Sequence, residues 1–270
     1  MKKGGISKRN REMLSILNRE AKGPFGLDFV SKVLNISKTR AKNFVFLLVS
    51  QGWLTRIKSG LYSTVSLSTI RPEAQKEDPL VVAATVFAPC YIGGWSACEH
   101  WGLTEQIFND IVVFSSRRFN KTKQIIQGTT YIIKTVSKKR FYGLRPVWRG
   151  KSKILLSDLS RTIVDILDTP KIGGGIRNVA LIIREYFKSE ERKDDNLLNY
   201  VNKYGNKVVC KRLGYLIEQL NIDAPDILKY CSKFKSSGYS KLDPTLPGQG
   251  KYLRRWNLVI NAHLLGVVSE

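Results

Sequence analysis

The sequence predicts an α+β fold in two unequal units, and three patterns carry that prediction. Residues 1–70 hold three helix-length apolar repeats followed by two short β-prone runs around a glycine turn. Residues 80–156 mix apolar helices with four β-prone runs, and residues 157–234 return to amphipathic helices. Between the units, Arg71-Pro72-Glu73-Ala74-Gln75-Lys76-Glu77-Asp78-Pro79 is polar, carries two prolines and breaks periodicity. That makes 71–79 the linker between a domain at 1–70 and a larger mixed domain at 80–270.

Ser7 is placed to cap a first helix running to about Ala21, whose Met13, Leu14, Ile16 and Leu17 recur at helical spacing. Gly23-Pro24 stops it. A second helix is predicted over 27–34, with Asp28 in its first turn, where the helix dipole favours an anion. Asn35-Ile36-Ser37 is the turn. Ser37 caps a third helix over 38–51, where Ala41, Phe44, Val45 and Leu48 form one apolar stripe, and Gly52 suits a left-handed end. The runs 53–57 and 61–65 then pair around Lys58-Ser59-Gly60.

Helix, helix, turn, helix and hairpin in this order is a winged helix-turn-helix pattern. In that module the third helix enters the major groove by its N-terminal end, and the wing lies along the adjacent backbone. With the stripe inward, Lys38, Thr39, Arg40, Lys42 and Asn43 point outward. Arginine pairs bidentately with guanine and asparagine with adenine, whereas Lys38, Lys42 and the wing residues Arg56, Lys58 and Ser59 suit phosphates. From Asn35 through Arg71 there is no Asp or Glu.

The second unit opens with an apolar helix from Leu80 to about Phe87, then Tyr91-Ile92-Gly93-Gly94 and a helix over 95–101 ended by Gly102. β-prone runs at 111–114, 124–126, 130–134 and 153–156 predict a small, mainly antiparallel sheet. Ser157 is placed to cap a helix through Leu167, stopped by Thr169-Pro170. Gly173-Gly174-Gly175 precedes a helix over 176–187, and further helices follow at 196–204, 207–220 and 225–234. A last β-prone run lies at 256–260, so the sheet is expected to have helical closure.

Charge is the strongest compositional signal: 45 Lys and Arg against 22 Asp and Glu in 270 residues, a formal +23. Hydrophobic residues make up 43%, enough to bury a core and to exclude a disordered tail. The excess is clustered. Residues 1–70 carry 13 basic and 3 acidic side chains, and the window 117–153 carries 12 basic and none acidic. Polyanions are the natural partner of such a field, because each neutralised phosphate releases counterions. Arg117, Arg118, Lys121, Lys123, Lys138, Lys139, Arg140, Arg149, Lys151 and Lys153 are therefore expected to form a second basic surface, on one face of the sheet, for DNA backbone or a partner.

Enzymatic readings find less in the sequence. The glycine triplet has no Walker lysine after it. Asp158, Asp165 and Asp168 share a helix as metal ligands do, but Arg161 lies between them and ion pairing is the simpler use. Glu191-Arg192-Lys193 matches a nuclease fragment that arises by chance in so basic a chain, and Glu99-His100-Trp101 has no nucleophile beside it. Cys90, Cys98, Cys210 and Cys231 include no CxxC pair and read as small buried hydrophobes, so no metal site and no cofactor is expected. No apolar run is long enough for a membrane span, and nothing at the N-terminus reads as a secretory signal, so the cytoplasm is expected.

The chain resembles the AbiEi family, the antitoxins of type IV abortive-infection toxin–antitoxin systems. The resemblance rests on Gly60-Leu61-Tyr62 closing the winged module and on the stretch from Tyr91-Ile92-Gly93-Gly94-Trp95-Ser96 to Trp101-Gly102-Leu103-Thr104. It extends to Leu156-Ser157-Asp158 with Arg161-Thr162-Ile163-Val164-Asp165, the glycine triplet, Lys211-Arg212-Leu213-Gly214-Tyr215-Leu216 and Arg255-Trp256-Asn257-Leu258. It implies a non-catalytic, bifunctional protein. Its winged helix represses its own operon by binding inverted repeats in double-stranded DNA, and its C-terminal domain, an antitoxin domain, counters a nucleotidyltransferase-like toxin. Carried onto this chain, the repressor contacts fall on Lys38, Thr39, Arg40, Lys42, Asn43 and the wing. The alternative is a nuclease-like, nucleic-acid-processing enzyme that holds substrate with the 117–153 strip.

Overall fold

The computed structural model describes residues 5–65 and 76–264. Three helices open the chain: α1 (Lys8–Glu20), α2 (Leu27–Leu34) and α3 (Lys38–Ser50). Their ends follow local chemistry. The Ser7 and Ser37 hydroxyls accept from the N–H groups of Asn10 and Arg40, both at 3.3 Å, which satisfies donors that a helix start leaves unpaired. Asn35 ends α2 in the left-handed region at φ 50°, and Gly52 follows α3 at φ 74°. The strands β1 (Leu54–Lys58) and β2 (Leu61–Thr64) form an antiparallel hairpin, and Phe25 bridges to Tyr62, tying the α1–α2 turn to it. Leu17, Val30, Ala41, Val45 and Leu48 fill the small core among these elements.

Of the predicted linker, residues 71–75 lie outside the described residues. Asp78 belongs to the next element: it caps α4 (Pro79–Val86), accepting from the Leu80 N–H at 2.7 Å. The helical module is seated on the second unit. Ile57 of β1 joins the apolar cluster beneath α4, and Ser63 Oγ donates to the Glu77 carboxylate. Lys151 Nζ donates to the Asn18 carbonyl at 3.0 Å, and Ser152 Oγ to the Lys22 carbonyl.

The central sheet has six strands among the described residues: β3 (Cys90–Ile92), β4 (Asp110–Ser115), β5 (Lys123–Ile126), β6 (Thr129–Thr135), β7 (Leu144–Arg149) and β8 (Ser152–Ser157). Their order is β5-β6-β4-β3-β8-β7. The expectation of a small, mainly antiparallel sheet is corrected to a larger, mixed one. The hairpins β5–β6 and β7–β8 each attach to the central β3–β4 pair by their second strand, and in both cases that strand runs parallel to its new neighbour. β3 escapes the sequence pattern because it is three residues long. β7 escapes it because Pro146 interrupts the run, and an edge strand tolerates proline because one row of its N–H groups has no ladder partner.

Side-chain alternation divides the sheet between two cores. Ile92, Val113, Ile154 and Leu156 face the cluster under α4, whereas Tyr91, Val112 and Phe114 face the larger core, into which α5 (Trp95–His100) also packs. That core is closed by α6 (Leu159–Asp168), α7 (Ile176–Lys188), α8 (Asp194–Tyr204), α9 (Lys207–Gln219) and α10 (Pro225–Phe234). The cap of α6 is Asp158, accepting from the Arg161 N–H at 2.8 Å, and not Ser157, whose hydroxyl bonds Thr162 Oγ1. Three short strands follow, β9 (Ser240–Lys241), β10 (Lys251–Leu253) and β11 (Leu258–Ile260), in the order β10-β11-β9. Trp256, between β10 and β11, is buried against α9, with its Nε1 donating to Glu218 at 2.5 Å. Among the described residues no helix is long and apolar enough to cross a membrane.

Candidate nucleic-acid interface

The α3 stripe faces inward as its spacing dictates, with Ala41, Phe44, Val45 and Leu48 buried. Thr39, Arg40, Lys42 and Asn43 are consequently exposed on the opposite side. Lys38 is exposed too, but its ammonium lies 2.7 Å from Asp28, whose hydrogen bond and charge raise its affinity for the proton above that of an ordinary lysine. A phosphate would have to compete with Asp28 for it. The face also carries two residues that a search for polar contacts passes over: Phe46 and Leu47 are 49% and 40% exposed. Phe46 is four residues after Lys42, whose ammonium stands 5.6 Å from the ring centroid. The helical wheel contained this signal, because both fall outside the inward stripe.

At the hairpin tip Arg56, Lys58 and Ser59 are all exposed. Arg56 Nε donates to the Lys58 carbonyl at 3.4 Å, folding the guanidinium along the turn, and Gly60 takes a φ of 74° that a glycine adopts without strain.

The second basic window does not form one face. Arg117, Arg118, Lys121 and Lys123 occupy the β4–β5 connection and the start of β5, at one edge of the sheet. Arg149, Lys151 and Lys153 sit around the β7–β8 turn, at the opposite edge, where Lys151 touches the end of α1. Lys138, Lys139 and Arg140 form a separate 3-10 turn, and Arg140 stacks 3.5 Å over the Tyr204 ring. Contiguity in sequence failed here because each hairpin carries its cations to its own edge. Only the 149–153 part adjoins the helical module.

The acidic candidates are engaged in the fold. Asp158 caps α6 and accepts from Tyr200 Oη at 2.9 Å. Asp165 is fully buried and paired with Arg161, with Nη2 to Oδ1 at 3.0 Å. Glu191 meets Arg145 at 2.8 Å, and Arg192 grips Asp194 with two hydrogen bonds at 2.8 and 2.7 Å. The glycine triplet is no open anion cradle, because Asp243 accepts from the Ile176 N–H at 2.9 Å and already occupies the start of α7. His100 lies edge-on to Trp101, and burial, then the charge of Arg149, holds its pKa below the usual histidine value. The four cysteines are free, and burial pushes the Cys90 thiol up to about 12. Among the described residues no group of three or more His, Cys, Asp or Glu side chains is arranged to hold a metal.

Asp168 links the sheet to the helices and sets an acid limit on stability. Burial opposes its charge, but Lys134, Asn206, Tyr204 and Thr169 outweigh that and hold its pKa below the usual 3.8. A depressed carboxyl contributes stability above its unfolded value and loses it as pH falls through the folded value. Asp168→Asn is therefore expected to cost about 2 kcal/mol at neutral pH, a deficit that shrinks as pH falls below the ordinary carboxylate value toward the lowered folded one. Urea denaturation of both proteins at pH 7 and pH 3 checks this, since a deficit that stays constant would refute the assignment.

Compared with known protein families the chain matches none, and no curated protein is found to be similar to it.

Proposed function

We propose that the chain is a duplex-DNA-binding autorepressor and antitoxin of a type IV toxin–antitoxin operon, in which the first three helices and hairpin act as a winged helix-turn-helix. The observation that carries this reading is the outward face of α3: Thr39, Arg40, Lys42 and Asn43 stand exposed just after a serine-capped helix start, with no acidic side chain on that helix. Arg40 and Asn43 read base edges, Lys42 and the hairpin residues Arg56, Lys58 and Ser59 hold phosphates, and Phe46 offers apolar surface to a thymine methyl. Lys151 and Lys153, beside the α1–α2 turn, extend the cationic surface from the second unit. The antitoxin half of the reading is supported by the resemblance to AbiEi proteins, and its partner is a nucleotidyltransferase-like toxin. The nuclease-like alternative gains no support, because the carboxylates it requires cap helices or pair with arginines.

Duplexes selected from a random library by the purified protein test the reading by fluorescence anisotropy. Arg40→Ala is expected to lose roughly 5- to 150-fold in affinity on the selected site and little on random duplex, the worth of one bidentate base contact. Lys58→Ala should weaken both alike and reduce the salt slope by about one. Equal losses for the two variants on both duplexes would remove α3 as the reader.

A further inference from the structure

The three-stranded sheet at 240–260 presents a face that the proposed duplex contacts do not use. Val259 of β11 stands opposite Tyr252 of β10 and Lys241 of β9, so these three side chains share one face, and Tyr239 joins them two residues before Lys241. The neighbouring residues Leu258 and Leu242 are buried, which leaves this face to solvent. Tyr239 and Tyr252 are 47% and 69% exposed. Their rings meet edge to face, with centroids 4.9 Å apart and planes at 83°. Two perpendicular aromatic walls form an open corner in which a flat ring can lie on one while its edge abuts the other.

The surroundings select the occupant. Between residues 233 and 255 there are six basic side chains, Lys233, Lys235, Lys241, Lys251, Arg254 and Arg255, of which Arg255 pairs with Glu218 of α9, and one acidic residue, Asp243. Asp243 is buried and accepts from the Ile176 and Thr245 N–H groups, so it adds no exposed negative charge here. Lys241, Lys251 and Arg254 are exposed. A flat aromatic ligand joined to repeated negative charge is a nucleotide strand. In a duplex the base faces are stacked on one another and cannot reach a tyrosine, whereas in a single strand they can. We infer that Tyr239 and Tyr252, with Lys241, form a second nucleic-acid site, one that takes single strands by base stacking. It is independent of duplex reading by α3, which lies in the helical module.

Anisotropy of labelled ten-nucleotide dT and U strands, added to full-length protein at moderate salt, tests the inference. Wild-type protein should bind them. Tyr252→Ala and Tyr239→Ala should each weaken binding roughly 5- to 100-fold, the worth of one stacked base. Tyr252→Phe keeps the ring face and should bind as wild type does. Arg40→Ala should leave strand binding unchanged even where duplex binding fails, which separates this inference from the α3 proposal. Both tyrosines are exposed, and unchanged thermal unfolding of the variants confirms that they fold. Equal binding by wild type and both alanine variants overturns the site, as does a phenylalanine variant as weak as the alanine one. Displacement of the strand by a selected duplex, or equally well by polyglutamate, also overturns it. A preference between the dT and U strands reports whether DNA or RNA is the better ligand.

Discussion

Arg161→Met is expected to destabilise the protein by about 3–5 kcal/mol, because it leaves a carboxylate buried without its cation. Arg161 and Asp165 are 1% and 0% exposed in the middle of α6. The guanidinium donates to Asp165 through Nε at 3.2 Å and Nη2 at 3.0 Å, and Nη2 also donates to Tyr91 Oη at 2.9 Å. Tyr91 Oη in turn donates to Asp165 Oδ2 at 3.2 Å, and the Tyr142 ring lies 4.3 Å from the guanidinium carbon. Burial already pushes the Asp165 carboxyl above the ordinary carboxylate range against the pull of Arg161. In the variant that pull is gone, so the folded state takes up a proton more readily than the unfolded chain does. The cost is then fully present above the raised folded value and shrinks as pH falls through it toward the ordinary one. The double variant Arg161→Met/Asp165→Leu is expected to regain most of the lost stability, since replacing both ions by apolar groups removes the stranded charge. Urea denaturation at pH 7 and pH 5 measures all of this, and a double variant as unstable as the single one would show that packing, not charge, dominates.

The second large effect is expected at Gly214→Ala, about 3 kcal/mol at the upper end of overpacking. A Cβ at this position would stand 2.1 Å from Cη2 and 2.2 Å from Cζ3 of Trp256. The indole has little freedom to retreat, being 1% exposed and held by its hydrogen bond to Glu218. Trp256→Ala alone is expected to cost about 3–5 kcal/mol through the cavity it opens. Combined, the two changes should cost less than their sum by about 1 kcal/mol or more, because the new methyl occupies space the ring has vacated. Additive unfolding free energies would show that the two residues do not share the space.

Legibility in the sequence followed distance along the chain. The start of α3 was readable because Ser37 and Arg40 are three residues apart, and α2 and α10 because their own periodicity and flanking breakers decide them. Asp158 displaced Ser157 as the cap of α6 because adjacent residues of equal capping power are separated only by the backbone geometry that tertiary packing imposes. The parallel pairings were not readable, since β3 meets β8 across more than sixty residues and neither strand announces the other. The α3 face was readable as an exposed polar surface, and the same wheel places Phe46 and Leu47 on it, outside the inward stripe, although their apolar character alone points inward. The tyrosine corner was invisible for the same reason as the sheet, as its two rings come from the residue just before β9 and from β10, separated by a buried loop residue, Asp243, and an exposed turn.

The position of β11 in the middle of its sheet imposes an order of events on a chain still being translated. β9 pairs only with residues 258–259, and α9 keeps a glycine at 214 for an indole that arrives forty-two residues later. The helical module, closed by the Phe25–Tyr62 bridge, has every partner of its own core by residue 65. At a synthesis rate of ~5–20 residues per second, about 10–40 s separate the ribosome's completion of the module from its delivery of β11. In the last part of that interval, from residue 219 for the groove on α9 and from residue 241 for the unpaired β9, both features wait for β11, while the first unit already has its own core complete.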